Sequence, residues 1–246
     1  MKLDKSKLSK EEYRRLKRQI LAERNNENVQ DIAHEPEVVQ EDVQKFAPAT
    51  KSKIAFVLGN GTSRAGIDPG ELQKYGKVYG CNALYRTHEP DYLIAVDTKM
   101  ILEINKSGYQ NNHEVWTNPN KAYIRMKNFN YFNPSKGWSS GPTALWLACQ
   151  HGYDHIYILG FDYRGLDNGK KFNNVYADTN NYKKSHDGAT FFGNWMRQSK
   201  SVINDYKKIK FTRVIAADNY VPDELNKFAN LEHIPKEIFK NIYNLS

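Results

Sequence analysis

The sequence predicts an α/β fold: a Rossmann-like, doubly wound, mostly parallel sheet, preceded by a helical and extended N-terminal arm. Three observations predict it. From residue 51 onward, short apolar runs alternate with segments of helical length. The runs are continuous rather than alternating, as in IAFVL (54–58) and HIYIL (155–159), which suits strands covered on both faces. Several runs end in Gly, Asn or Asp, at the edge where such sheets bind ligands.

Taken in order, residues 1–50 read as an appendage. Ser9 and Glu12 have capping-box spacing, and Leu8 with Tyr13 fits a hydrophobic staple, so a helix is expected over 10–24. Its apolar stripe (Tyr13, Leu16, Ile20, Leu21) is too narrow to build a core and wide enough to dock. Residues 25–49 are acidic, poor in large apolar side chains and carry Pro36 and Pro48, which predicts an extended linker. The main domain is expected over 51–220, with strands at 54–58, 77–81, 92–96, 114–117, 155–159 and 213–216. Helices are expected at 69–75, 98–105, 139–152 and 191–208, and residues 123–133 alternate loosely enough to pair at an edge. The helix over 139–152 is the best marked, with SSG at its start, Pro142 in its first turn and Gly152 at its end. Residues 164–190 form a long polar loop, and 221–246 read as a tail with a short helix near 235–243.

Composition bounds the function classes. The 246 residues are 39% hydrophobic and carry a formal net charge of +8. Residues 1–24 hold nine Lys/Arg against four Asp/Glu, and residues 25–50 hold Lys45 against six acids, so the arm is neutral and the excess sits on 51–246. A basic folded domain favours an anionic partner, such as a nucleotide, a phosphorylated sugar or nucleic acid. No nucleic-acid recognition motif accompanies that charge. No apolar run approaches the ~20 residues of a membrane span, and the charged N-terminus lacks a signal-peptide core. Cys81 and Cys149 have no metal-ligand spacing, which fits a reducing, cytoplasmic setting, or a virion if a phage encodes the chain.

The chemistry is expected in the loops. KIAFVLGNGTS (53–63) reads as a buried strand breaking into a glycine turn before a helix, a ready anion site through free amides and the helix dipole. It has no GK[ST] and lacks the third glycine of GxGxxG. The candidate nucleotide-binding set is Gly59, Asn60, Gly61, Thr62 and Ser63 from this loop, Asn82, Asp97, the helix start Ser139, Ser140 and Gly141, and Asp162. Asp97 and Asp162 suit ribose hydroxyls or a metal, but no adjacent acid pair marks a metal site, so none is required.

Four segments carry a resemblance: IAFVLGNGTS, KVYGCNALYR, PDYLIAVD and SSGPTALWLACQHGYDHIYILGFDY. In order and spacing they resemble the bacterial sialyltransferase family typified by the Campylobacter lipooligosaccharide enzymes. They also resemble the wider group of motility-associated glycosyltransferases and archaeal MptE-like pterin diphosphokinases. The resemblance covers 54–163 and implies a site for a cytidine nucleotide sugar, contacted by Asn60, Gly61, Ser63, Asn82, Ser140 and Gly141. It also implies a loop histidine that deprotonates the acceptor hydroxyl, here His186, with Tyr176 and Tyr182 assisting the departing phosphate. The family's loop proline is Thr62 here.

Three readings follow. The first is a metal-independent, inverting glycosyltransferase that takes a CMP-sugar and a hydroxyl acceptor. The second is an MptE-like ATP-dependent diphosphokinase with magnesium on Asp97 or Asp162. The third is a non-enzymatic assembly component, for example of a phage particle, that docks copies or partners through residues 1–50.

Overall fold

The computed structural model describes residues 40–49 and 51–245. The helix expected over 10–24 lies outside them, as does the first part of the linker. The chain divides into Met1–Val39 and Gln40–Ser246, and the second unit holds the elements that follow.

Eight parallel strands form one sheet. They are β1 (Ile54–Leu58), β2 (Lys77–Cys81), β3 (Tyr92–Ile94), β4 (Val115–Thr117), β5 (Asn130–Tyr131), β6 (His155–Leu159), β7 (Lys210–Ile215) and β8 (Leu231–Pro235). Their spatial order is β5-β4-β3-β2-β1-β6-β7-β8. The chain winds outward from β1 to one edge, then returns and winds from β6 to the other. The direction of winding reverses between β1 and β6, whose five residues pair in register from Ile54↔His155 to Leu58↔Leu159.

Side chains alternate across this sheet and feed two cores. Ala55 and Val57 face α4 (Ser140–Gln150) and α5 (Gly193–Asp205), packing with Leu145, Ala148, Val202 and Ile203. Phe56 and Leu58 face the other side, with α2 (Pro69–Leu72), α3 (Thr98–Ser107) and α6 (Lys236–Ile242). The all-buried β6 explains its continuous apolar run. Gly152 follows α4 at φ 75, and Gly108 caps α3 at the same angle, a left-handed position that favours glycine.

Two sequence expectations need correction. Residues 40–46 are not extended: α1 (Gln40–Phe46) is helical, with Phe46 packed on the second core and its carbonyl accepting the Tyr157 hydroxyl at 3.1 Å. One aromatic anchor decides the conformation there, which a window average of polar residues hides. Residues 221–246 are not a tail. LEHIP forms β8, an edge strand buried only at Leu231 and Ile234, which is why its pattern reads weakly. The helix α6 then seals the sheet through Phe239 and Tyr243, which pack edge-on to Phe56 at 6.1 and 5.2 Å. The expected edge pairing within 123–133 is present as the two-residue β5.

Two histidines in this second winding are held neutral. His155 Nε2 lies 2.7 Å from Thr212 Oγ1, whose hydroxyl donates to Glu232 at 2.7 Å, so the imidazole N–H is the donor to Thr212. Burial pushes His155 down to about 3. His233, whose ring nitrogens find no partner among the described residues, is pushed down to about 4 by burial and by Arg213 on the adjacent strand. The unfolded chain therefore binds more protons than the fold below pH ~6.5, and stability is lost as pH falls through that value. We expect His155 alone to remove about 1–2 kcal/mol between pH 6.5 and 5. Thermal unfolding across that range checks this: a flat Tm would show that both rings already carry protons in the fold.

Candidate active site

The loops that follow β1, β2, β3 and β6 meet the N-terminus of α4 around a cleft of about 400 Å³. It opens at the carboxyl end of the sheet where the winding reverses, the usual ligand position in doubly wound sheets. Its volume is that of a small-molecule site. Of the eleven candidate nucleotide-binding residues, nine line it: Gly59, Asn60, Gly61, Asn82, Asp97, Ser139, Ser140, Gly141 and Asp162. Thr62 and Ser63 do not, and neither do His186, Tyr176 or Tyr182.

The first loop is built differently from the expected anion cradle. After β1 the chain makes only a 3-10 turn, Thr62–Arg64, so there is no helix dipole of consequence. Four of its five amides, all but that of Asn60, are already engaged. Gly59 N–H donates to Leu159 O at 2.8 Å and Gly61 N–H to Gly160 O at 2.9 Å. Thr62 N–H and its hydroxyl both donate to Asn173 Oδ1, at 2.9 and 2.8 Å. Ser63 donates through its amide to Asp162 Oδ2 at 3.1 Å and through its hydroxyl to Asp162 Oδ1. The protein's own carboxylate thus fills the position expected for a phosphate.

The glycines are required by loop against loop. A Cβ at Gly59 would lie 2.6 Å from Gly160 O, and one at Gly61 would lie 2.5 Å from the Asp162 carboxyl. Two buried arginines fix the backbone from either side. Arg64 Nε donates to Gly59 O at 2.7 Å, and Arg213 Nε to Phe161 O at 2.8 Å.

The second helix start keeps its expected character. Ser139 is the N-cap of α4 with no side-chain cap bond, and the amides of Ser140 and Gly141 have no acceptor among the described residues. They open an eleven-residue helix, with its dipole pointing into the cleft. The Ser140 hydroxyl donates to Asn82 Oδ1 at 2.8 Å and accepts from Val96 N–H at 3.2 Å, so one side chain ties α4 to the ends of β2 and β3. Asn82 holds a left-handed backbone, φ 52.

Asp97 closes β3 and is the N-cap of α3, but only its carbonyl serves the helix, accepting Ile101 N–H at 3.0 Å. Its carboxylate has no hydrogen-bond partner among the described residues. It is open to the cleft's solvent, yet the cleft walls desolvate it enough to raise its pKa. Among the described residues the only cation lining the cleft is Arg164, paired with Asp218. The domain's basic excess is therefore not concentrated here, as the net charge had suggested.

The residues expected to do the chemistry lie elsewhere. The His186 side chain is 79% exposed, with an Asp187 carboxylate oxygen 3.9 Å from its Nε2. The Tyr182 hydroxyl accepts from Asn60 Nδ2 at 3.2 Å and from Ala83 N–H at 3.4 Å. Tyr176 is buried and its hydroxyl accepts from Arg64 at 3.2 Å. Both tyrosines brace the underside of the first loop. Sequence reasoning missed Asn173, Trp138, Phe192 and Trp195, which also line the cleft. The pair Asn173-Asn174 after Phe172 offered the one legible signal, a turn-forming dipeptide in an otherwise featureless loop. Among the described residues no group of three or more His, Cys, Asp or Glu is placed to hold a metal, and no helix is long and apolar enough to cross a membrane.

No protein-family model matches the chain, and no curated protein matches its sequence. Solved structures of a bacterial sialyltransferase are similar to it. A variant of sialyltransferase CST-II in complex with CMP shares 15% identity at a TM-score of 0.46, over 79% of this chain and 99% of that one. CST-II in complex with trisaccharide acceptor and CMP shares 17% at 0.42, over 65% and 80%. CstII from Campylobacter jejuni with a substrate analogue, cytidine-5'-monophosphate, shares 17% at 0.38, over 66% and 79%.

The glycine contacts predict a graded response. Gly61→Ala forces a Cβ into the Asp162 carboxyl and Gly160 O, and should cost roughly 1–3 kcal/mol. Gly66→Ala meets nothing within 4 Å and bears only the strain of φ 78, about 1 kcal/mol. Urea unfolding of both variants checks the order; equal losses would show that the two strand-end loops are not in close contact.

Proposed function

We propose that this chain is a glycosyltransferase-like protein that binds a nucleotide-activated sugar of the CMP type in the cleft and passes the sugar to a hydroxyl acceptor. The observation that carries the reading is the α4 N-terminus, with the free amides of Ser140 and Gly141 opening into a ligand-sized cleft at the reversal of winding. Such amides and the dipole behind them favour a phosphate. Asn82, whose Oδ1 is tied to the Ser140 hydroxyl, keeps its amide NH2 to offer to a pyrimidine or a ribose. The sequence segments that resemble the sialyltransferases supply the choice of cytidine. Transfer is read as inverting and independent of a metal, with the attacking hydroxyl in line with the departing phosphate.

Thermal shift with CMP, CDP, UDP and ATP, each with and without magnesium, tests the reading. CMP at about a hundred times its Kd should add ~2.7 kcal/mol, or about 5–10 °C for a domain of this size. The shift should persist in EDTA and shrink in Ser140→Ala, which unties α4 from Asn82 and Val96. A shift confined to ATP with magnesium would replace this reading with the diphosphokinase. No shift with any nucleotide would replace it with an assembly role.

A further inference from the structure

We infer that Asp97 is the general base of this cleft, its carboxylate taking the proton of the hydroxyl that attacks the donor sugar. The inference rests on the sugar-transfer reading above and replaces both the ribose role expected for Asp97 and the base role expected for His186.

Among the described residues the groups able to accept or lose a proton along the cleft are few: Cys81, Asp97, Asp162, Tyr163 and Arg164. Four of them are committed. Burial pushes the Cys81 thiol and the Tyr163 phenol each up to about 12, so both keep their protons near neutrality. Asp162 spends Oδ1 on the Ser63 hydroxyl and Oδ2 on Ser63 N–H and Asn173 Nδ2, the latter at 3.0 Å. Arg164 is a cation that lies over the Tyr220 ring and pairs with Asp218. Asp97 alone has both oxygens free, and it stands at the end of β3 beside the Ser140-tethered start of α4.

That placement puts an acceptor of protons and an attractor of phosphate on one cleft. The α4 amides draw the donor phosphate, and Asp97, the neighbour of Val96 whose N–H donates to the Ser140 hydroxyl, holds its carboxylate near that same helix start. A hydroxyl positioned against Asp97 then sits between them, near the anomeric carbon. In the step, the acceptor oxygen forms its bond to that carbon as the carbon–oxygen bond to phosphate breaks. The bonding pair leaves with the phosphate oxygen of CMP, and the hydroxyl proton passes to an Asp97 oxygen, later to water. The desolvation that raises Asp97 above an ordinary carboxylate makes it a better base at neutral pH.

The test uses the full chain with CMP-N-acetylneuraminic acid as donor and water as acceptor, following CMP release beside the CMP thermal shift. Asp97→Asn should lower release by about a hundredfold to ten-thousandfold, while its CMP shift stays equal to or above that of the wild type. Asp97→Glu, which keeps the carboxylate, should recover part of the rate. The wild-type rate should fall on the acid side and that limb should vanish in Asp97→Asn, while His186→Ala stays within threefold of wild type. Release by Asp97→Asn within threefold of wild type overturns the assignment, as does CMP binding with no release by the wild type. Absence of any CMP shift overturns the sugar-transfer reading itself, and the base with it.

Discussion

The structure depends on the close approach of two strand-end loops at the point where the sheet reverses. Gly59–Gly61 and Leu159–Asp162 run against each other with two backbone hydrogen bonds, and no Cβ fits at Gly59 or Gly61. Arg64 grips one loop through Gly59 O, and Arg213 the other through Phe161 O. Both guanidinium groups are buried, which suits a fork of donors satisfied by carbonyls and stacked near the rings of Tyr176 and Tyr163. With the loops fixed, the cleft between them and α4 has a set shape before any ligand arrives.

That approach also sorts the electrostatics. Asp162 takes the Ser63 donors, Asn173 those of Thr62, and backbone carbonyls those of Gly59 and Gly61, so the first loop offers mainly structure and the α4 start offers attraction for an anion. Trp138, Phe192 and Trp195 add apolar walls. Asp97 is left as an unpaired carboxylate in a cleft otherwise suited to phosphate. An uncompensated charge carries a cost wherever walls desolvate it, and positions that keep such a group are characteristically those where it meets substrate.

Most of the fold was legible because its strands are continuous apolar runs bounded by turn residues, and α4 because caps, proline and glycine agree. The parts that were not legible share a cause: tertiary contact outweighs local pattern. α1 is helical because Phe46 docks, and β8 pairs although Glu232 and His233 dilute its apolar run. In the site, nine candidates line the cleft because strand-end position alone places them. Their roles were less legible, since a glycine needed by a neighbouring loop and one needed by a ligand look identical in sequence. Spacing likewise cannot reveal that Asp162, a hundred residues downstream, caps Ser63.

The loop over 164–190 shows how far that limit extends. It reads in the sequence as a long polar loop, and much of it is stitched down. Val175 N–H donates to Asn60 O at 2.8 Å, Asn173 holds Thr62, and Tyr182 holds Asn60. Arg86, itself anchored by Glu103, donates to Thr179 Oγ1 at 2.9 Å and to Asn180 O at 2.8 Å. Each such bond contributes about 0.5–1.5 kcal/mol, so carrying His186 inward by moving this segment would give up several at once. A carboxylate already fixed at a strand end needs no such rearrangement. The economy of that arrangement is the physical reason to look for the chemistry at the end of β3 rather than in the loop.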